Sequence, residues 1–154
     1  MKCALILALL LAANACRAAD PAPPPHTDEY EVLLAGSQSG EHEPGATLIA
    51  SAEEWERYWS RHAGWRIPPA PLPAVDFGVH CVIAIHAGDR PTAGWTLEAR
   101  SVKQVDGQLR VQAELRAPAT DGLLPQVVTQ PYQILLVPRA SARSGKVVLQ
   151  LAQR

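Results

Sequence analysis

Apolar positions recur with two different periods along the chain, and the change between them divides it. Between residues 51 and 64 the period is helical. Trp55, Tyr58, Trp59 and His62 stand at i, i+3, i+4 and i+7, one face of an α-helix. Ser51-Ala52-Glu53-Glu54 reads as a capping box at its start, and Gly64 as a left-handed stop at its end. These signals predict a helix over about residues 52–63 that packs Trp55 and Trp59 into a core.

Beyond residue 79 the period is two. Strands are predicted near 80–87, 95–104, 108–116, 132–138 and 146–152, with shorter ones at Glu31–Ala35 and Ala46–Ala50. Trp95, Leu97 and Ala99 precede the Asp106-Gly107 turn, and Leu109, Val111, Ala113 and Leu115 follow it, all at odd positions. A two-residue loop would oppose odd to even positions and mix the faces. A three-residue loop, Val105-Asp106-Gly107, pairs Leu97 with Leu115 and Ala99 with Ala113. Ile134-Leu135-Leu136-Val137 is apolar without a break, so Tyr132–Val137 is expected as a central strand covered on both faces. Pro68, Pro69, Pro71 and Pro73 make residues 65–76 an extended crossover. The fold class is β-rich α+β, an antiparallel sheet or small sandwich with one helix on its N-terminal side.

The first residues follow neither period. Lys2 precedes an apolar run from Ala4 to Ala13, and Ala13-Asn14-Ala15 is an A-x-A cleavage site. The run is shorter than the roughly 20 helical residues a bilayer requires. Residues 1–15 therefore read as a signal peptide, and the chain as exported: periplasmic, on the outer membrane, or secreted. Cys16 directly after the site resembles the lipidated cysteine of bacterial lipoproteins, although Ala13 and Asn14 depart from the usual pattern before it. A lipid on Cys16 would be the chain's one contact with a membrane. Pro21, Pro23, Pro24 and Pro25 mark residues 16–28 as a semi-rigid tether, and residues 29–154 as the domain.

Composition adds mainly exclusions. A net charge of −1 argues against a nucleic-acid partner. The 14 prolines and 10 glycines suit a β-rich chain with many turns better than a helical bundle. Acids and bases are unevenly spread. Residues 20–56 hold nine acids and no Lys or Arg, and residues 57–154 hold twelve bases against six acids. A solvated sheet face bearing scattered Arg accounts for this. The cysteines are Cys3, Cys16 and Cys81, with no C-x-x-C pair, so redox-motif and zinc-ribbon readings fail.

Candidate chemistry thins out under the strand geometry. His80, Cys81, His86 and Asp89 are the tempting cluster, because Cys and His can form a nucleophile and its base. Alternation puts His80 and His86 on one face with Val82 and Ala84, and Cys81 on the other with Ile83 and Ile85. His80 and His86 stand about 20 Å apart on an extended strand, too far to share a metal. Gly36-Ser37-Gln38-Ser39-Gly40 misses the G-x-S-x-G elbow because Gln38 holds the central position. His42 between Glu41 and Glu43 reads as a solvated turn. Phosphate loops and dinucleotide patterns are absent. The expectation is no catalytic residue, no cofactor and no metal.

One order of features is familiar. It runs through Ser51–Trp59, Val75-Asp76-Phe77, Val82–Ile85, Gly88-Asp89-Arg90-Pro91-Thr92-Ala93-Gly94-Trp95 and Thr129-Gln130-Pro131-Tyr132-Gln133-Ile134. This resembles the PrcB C-terminal domain family, named for an accessory subunit of a surface protease complex. Ala93 stands where the family has a second Gly, and Trp95 where it has Tyr. The Gly36–Gly40 segment matches the family's Ser-Gly turn only loosely. The resemblance implies a small exported β-rich domain, often on lipoproteins, with no enzymatic activity. It makes Asp76, Phe77, Gly88 and Pro131 structural, and puts Arg90, Thr92, Gly94, Trp95, Thr129 and Tyr132 on one loop-rich contact edge. The expected function is a non-catalytic protein-binding or assembly module of the bacterial cell envelope, whose partner is an envelope protein such as a protease. Two alternatives stay open: a small-ligand or glycan binder using Trp95 and Tyr132, and a hydrolase, the latter weakened by the lack of a nucleophile and base on one face.

Overall fold

The computed structural model describes residues 30–119, 123–142 and 145–154. The expected signal peptide and tether, Cys3, Cys16 and the expected domain start at residue 29 lie outside them. Among the described residues, seven strands and one α-helix follow in chain order: β1 (Glu31–Gly36), β2 (Pro44–Ile49), α1 (Ala52–Ala63), β3 (His80–Ala87), β4 (Thr96–Val105), β5 (Gln108–Arg116), β6 (Tyr132–Pro138) and β7 (Val147–Gln153). A single 3-10 turn, Arg139–Ser141, follows β6.

The strands form two sheets. One has the order β1-β6-β3-β2 and is antiparallel throughout, and the other has the order β4-β5-β7. Together with α1 they make three layers, with the four-stranded sheet in the middle. Val82, Ala84, Tyr132 and Ile134 pack with Ile49, Trp55 and Tyr58 on the helix side. Cys81, Ile83, Ile85, Leu135 and Val137 pack with Leu97, Val102, Leu109, Val111 and Leu115 on the other. β3 and β6 are covered from both sides, which is why neither alternates in polarity.

The last strand departs from expectation. β7 runs parallel to β5, pairing Leu109 with Val147 and Leu115 with Gln153, so the smaller sheet is mixed. Two strands of like direction need a long connection, and the passage through β6 in the other sheet supplies it.

The β4–β5 hairpin corrects the predicted loop. Leu97 pairs with Leu115 and Ala99 with Ala113, but the turn has two residues, closed by Val105 and Gln108. Asp106 and Gly107 have φ of 50° and 73°, the twist of a type I′ turn. A bulge between Ala99 and Ser101 resolves the face problem, because it shifts register and sends Val102 inward opposite Val111. Inward residues of β4 are odd before the bulge and even after it.

Helix α1 begins at the predicted residue, but the Glu54 side chain reaches back to Ala50 rather than to Ser51. The Ser51 hydroxyl accepts from Glu54 N–H at 3.2 Å, while the Glu54 carboxylate accepts from Ala50 N–H at 2.8 Å. Trp55 is 2% exposed, and its indole N–H donates to the Pro73 carbonyl; the half-buried Trp59 donates to the Ala70 carbonyl. The two indoles thereby tie the proline-rich crossover to the helix. Gly64 is right-handed, with φ −68°, so the left-handed stop does not form. Instead the loop after β1 closes this end: Gly40 N–H donates to the His62 carbonyl at 3.0 Å. A Cβ on Gly40 would lie 2.0 Å from the Arg61 carbonyl oxygen, so the approach requires glycine.

Candidate functional site

The segments Gly88–Trp95 and Thr129–Tyr132 flank β3 and β6, and the sheet register brings them side by side. Arg90 and Thr129 exchange backbone hydrogen bonds of 2.7 and 2.9 Å. The Thr129 hydroxyl donates to the Thr92 carbonyl at 2.9 Å, and the Trp95 indole donates to the Thr92 hydroxyl at 3.2 Å. The Arg90 guanidinium donates to the Ala87 carbonyl and lies 5.6 Å from the Trp95 ring centroid. Gln130 donates to Asp89 at 2.8 Å, and the His42 ring also bonds Asp89 at 2.9 Å. These two bonds hold the Asp89 carboxyl below the usual carboxylate range. Gly94 has φ +87°, and a Cβ there would lie 2.7 Å from Pro118. The two loops thus form one cross-linked edge.

That edge is not composed as the sequence suggested. Thr129 is 2% exposed and Tyr132 7%, so neither side chain is presented to solvent. Tyr132 follows the two-residue period of β6 onto the helix side, where its ring meets His62 edge-on at 4.4 Å. Arg90, Thr92 and Trp95 are half-buried, and Gly94 is exposed. What the edge does present is the stretch 123–128, pinned where Ala93 N–H donates to the Pro125 carbonyl. Leu123, Val127 and Val128 are exposed on it. Sequence reasoning missed all three, because a loop without period gives no signal for exposure.

The residues read as structural sit in turns and packing positions. Asp76 accepts from Gly78 N–H at 2.8 Å and turns the chain into β3. Phe77 packs on the helix-side cluster, and the Pro131 carbonyl accepts from Ala87 N–H. Gly88 has φ +74° and lies against the His42–Pro44 backbone.

A second feature joins the helix to the sheet. Ser39 Oγ is 2.9 Å from His62 Nδ1, the Tyr58 hydroxyl is 3.2 Å from that nitrogen, and the same hydroxyl is 3.0 Å from His86 Nε2. All four residues are buried. Burial holds both imidazoles neutral, with pKa values near 4; His86 and Arg66 add to the effect on His62, and Arg61 to that on His86. Burial also raises the Tyr58 phenol. Among the described residues His86 Nδ1 has no hydrogen-bond partner, as a buried group at one end of a chain of hydroxyls and rings. Ser39 and His62 have the spacing of a nucleophile and base, yet Ser39 lies inside the fold and already accepts Glu41 N–H. The chain serves packing and orientation.

Cys81 is buried facing the smaller sheet, away from His86, and burial raises its thiol. Among the described residues no group of three His, Cys, Asp or Glu is placed to hold a metal. His42 and Glu41 are tied down, the first to Asp89 and the second to Arg61 at 3.3 Å.

Two cavities open on either side of the Leu34–Gly36 stretch of β1. One, of about 330 Å³, lies on the helix side between Leu34, Trp59, His62, Arg66, Leu72 and Tyr132. The other, of about 470 Å³, lies toward the smaller sheet and includes Ala35, Gly36, Trp95, Glu98, Tyr132 and Gln133.

No curated protein and no solved structure matches the chain. A family match covers residues 81–138, which run from the second residue of β3 to the end of β6 and include both halves of the cross-linked edge. It leaves α1 and the Asp76-Phe77 turn outside. The family matched over residues 81–138 is that of the PrcB C-terminal domain.

Proposed function

We propose that the chain is an exported cell-envelope protein whose domain acts by contact, as an accessory partner of a protease. The family match supports the accessory role. The observation that carries the contact reading is the cross-linked edge, which holds out Leu123, Val127 and Val128 on a loop pinned at Pro125. Exposed apolar side chains on an ordered support suit protein recognition, because little conformational freedom is lost on binding.

Capture of the envelope protease by purified domain tests this. Val127→Asp with Val128→Asp should abolish capture without affecting folding. Trp95→Ala or Arg90→Ala, which loosen the support, should weaken it about thirtyfold, the ~2 kcal/mol of a hot spot. Cys81→Ala should leave capture unchanged. Hydrolysis of a peptide or ester by the wild type, lost in Cys81→Ala, would replace the contact reading with an enzymatic one. The small-ligand alternative draws on one observation, that Trp95 and Tyr132 both line the 470 Å³ cavity.

Export rests on Lys2, the Ala4–Ala13 run and Ala13-Asn14-Ala15, and anchoring on Cys16. Cys16→Ser should move the protein from the membrane fraction to the soluble fraction. Unchanged fractionation would reject the lipid.

A further inference from the structure

β1 is an edge strand. It pairs with β6 on one side, and among the described residues no strand pairs with its other side. Its register has a bulge between Val32 and Leu34, but beyond it Leu34, Ala35 and Gly36 pair regularly with Ile134, Gln133 and Tyr132. The outer edge of β4 is different. There Ala99 N–H donates to the Gln133 side chain at 2.8 Å and the Ala99 carbonyl accepts from Tyr30 at 2.9 Å, so side chains occupy the groups a foreign strand would need.

The two cavities flank Leu34–Gly36 on opposite faces of the sheet. Leu34 lines the cavity on the helix side, and Ala35 lines the one toward the smaller sheet. A strand added beside β1 would point alternate side chains to the same two faces. Successive residues of such a strand would therefore meet one cavity and then the other. Their linings differ. The helix-side cavity is walled by Leu34, Trp59, Ala63, Leu72 and prolines 71 and 73, with Arg66 its one charged residue and no acid. Arg66 is exposed at the rim of this cavity.

We propose that β1 is a docking edge for an extended segment of a partner protein, which adds as a strand along Leu34–Gly36. An apolar residue of that segment enters the helix-side cavity, and a carboxylate two residues on, pointing to the same face, meets Arg66. The side chain between them enters the cavity lined by Ala35 and Trp95. Backbone pairing supplies affinity and the two cavities supply selectivity. This deepens the contact reading and rests on it for the class of partner.

The probe is a short synthetic peptide of alternating valine and threonine with one central Leu-Thr-Asp stretch, which puts Leu and Asp on one face, titrated against the full domain by NMR with amide exchange. Binding should slow exchange at Leu34–Gly36. N-methylation of the peptide's alternate amides should abolish it, and Arg66→Glu should weaken it at least tenfold, whereas the Asp→Asn peptide should bind alike to both proteins. Ala35→Arg, at an exposed site, should weaken binding by blocking the second cavity. No binding, or binding with exchange at Leu34–Gly36 unchanged, overturns the proposal. So does a dimer of the domain alone in which those amides are already protected, since a second copy would then hold the edge. Val127→Asp with Val128→Asp should leave the titration untouched, so failure at the loops and failure at the edge are distinguishable.

Discussion

Acidification from pH 7 to 4.5 should remove on the order of 5 kcal/mol of folding stability, enough to unfold a domain of ordinary stability. The cause is the pair His62 and His86. Each is buried and neutral in the fold with a pKa near 4, against an ordinary 6.5 in the unfolded chain. Between those values the unfolded chain binds two protons that the fold refuses, so stability falls as pH falls. It is fully present above about pH 6.5 and declines by up to ~1.4 kcal/mol per pH unit for each ring until pH 4. Arg61 and Arg66 near the rings oppose protonation, and Glu41 favours it at His62 only weakly. Asp89 and Glu114, whose folded pKa values lie below the carboxylate range, contribute their loss at lower pH and leave this window to the histidines. Urea unfolding at pH 7, 5.5 and 4.5 measures the effect. His86→Gln, which keeps a polar partner for Tyr58, should roughly halve the slope. A midpoint independent of pH over this range would contradict the neutral buried pair.

Trp55→Ala should cost about 3–5 kcal/mol, near the upper end for a single substitution. Trp55 is stacked on Tyr58 at 5.5 Å, packs against Trp59, and donates to Pro73, so its loss opens a cavity and frees the crossover together. Trp59→Ala removes a half-buried ring and one crossover bond and should cost about half as much. Equal losses at the two positions would show that the crossover bonds, rather than burial, dominate. Since Tyr58 sits between Trp55 and both imidazoles, Trp55→Ala should also shift the acid transition.

Much of the fold was legible along the chain. α1, β3 and β6 occupy the predicted residues because their signals are local: a Ser51 cap, a four-residue aromatic stripe, an unbroken apolar run. The β4–β5 loop was misread because a bulge at Ala99–Ser101 changes which face a residue takes, and a bulge leaves no mark in hydrophobic period. Of the contact edge, the sequence brought Arg90, Thr92, Trp95 and Thr129 under suspicion, but not their burial or the exposure of Val127 and Val128.

Sequence by itself determined which residues are helical, which are extended and, away from the β4 bulge, which face each shares, because those are set by backbone sterics and nearest neighbours. It put Tyr58 and His62 on one stripe, and His86 on one strand face with Val82 and Ala84. Only the tertiary structure decided that this stripe lies on that face, so that Tyr58 bridges two rings 24 residues apart in the chain. It alone decided that β7 joins β5 in parallel and that, among the described residues, β1 is left as an open edge with a cavity on each face at Leu34–Gly36. Pairing between distant segments depends on how whole faces are covered, and no local pattern encodes which face finds which.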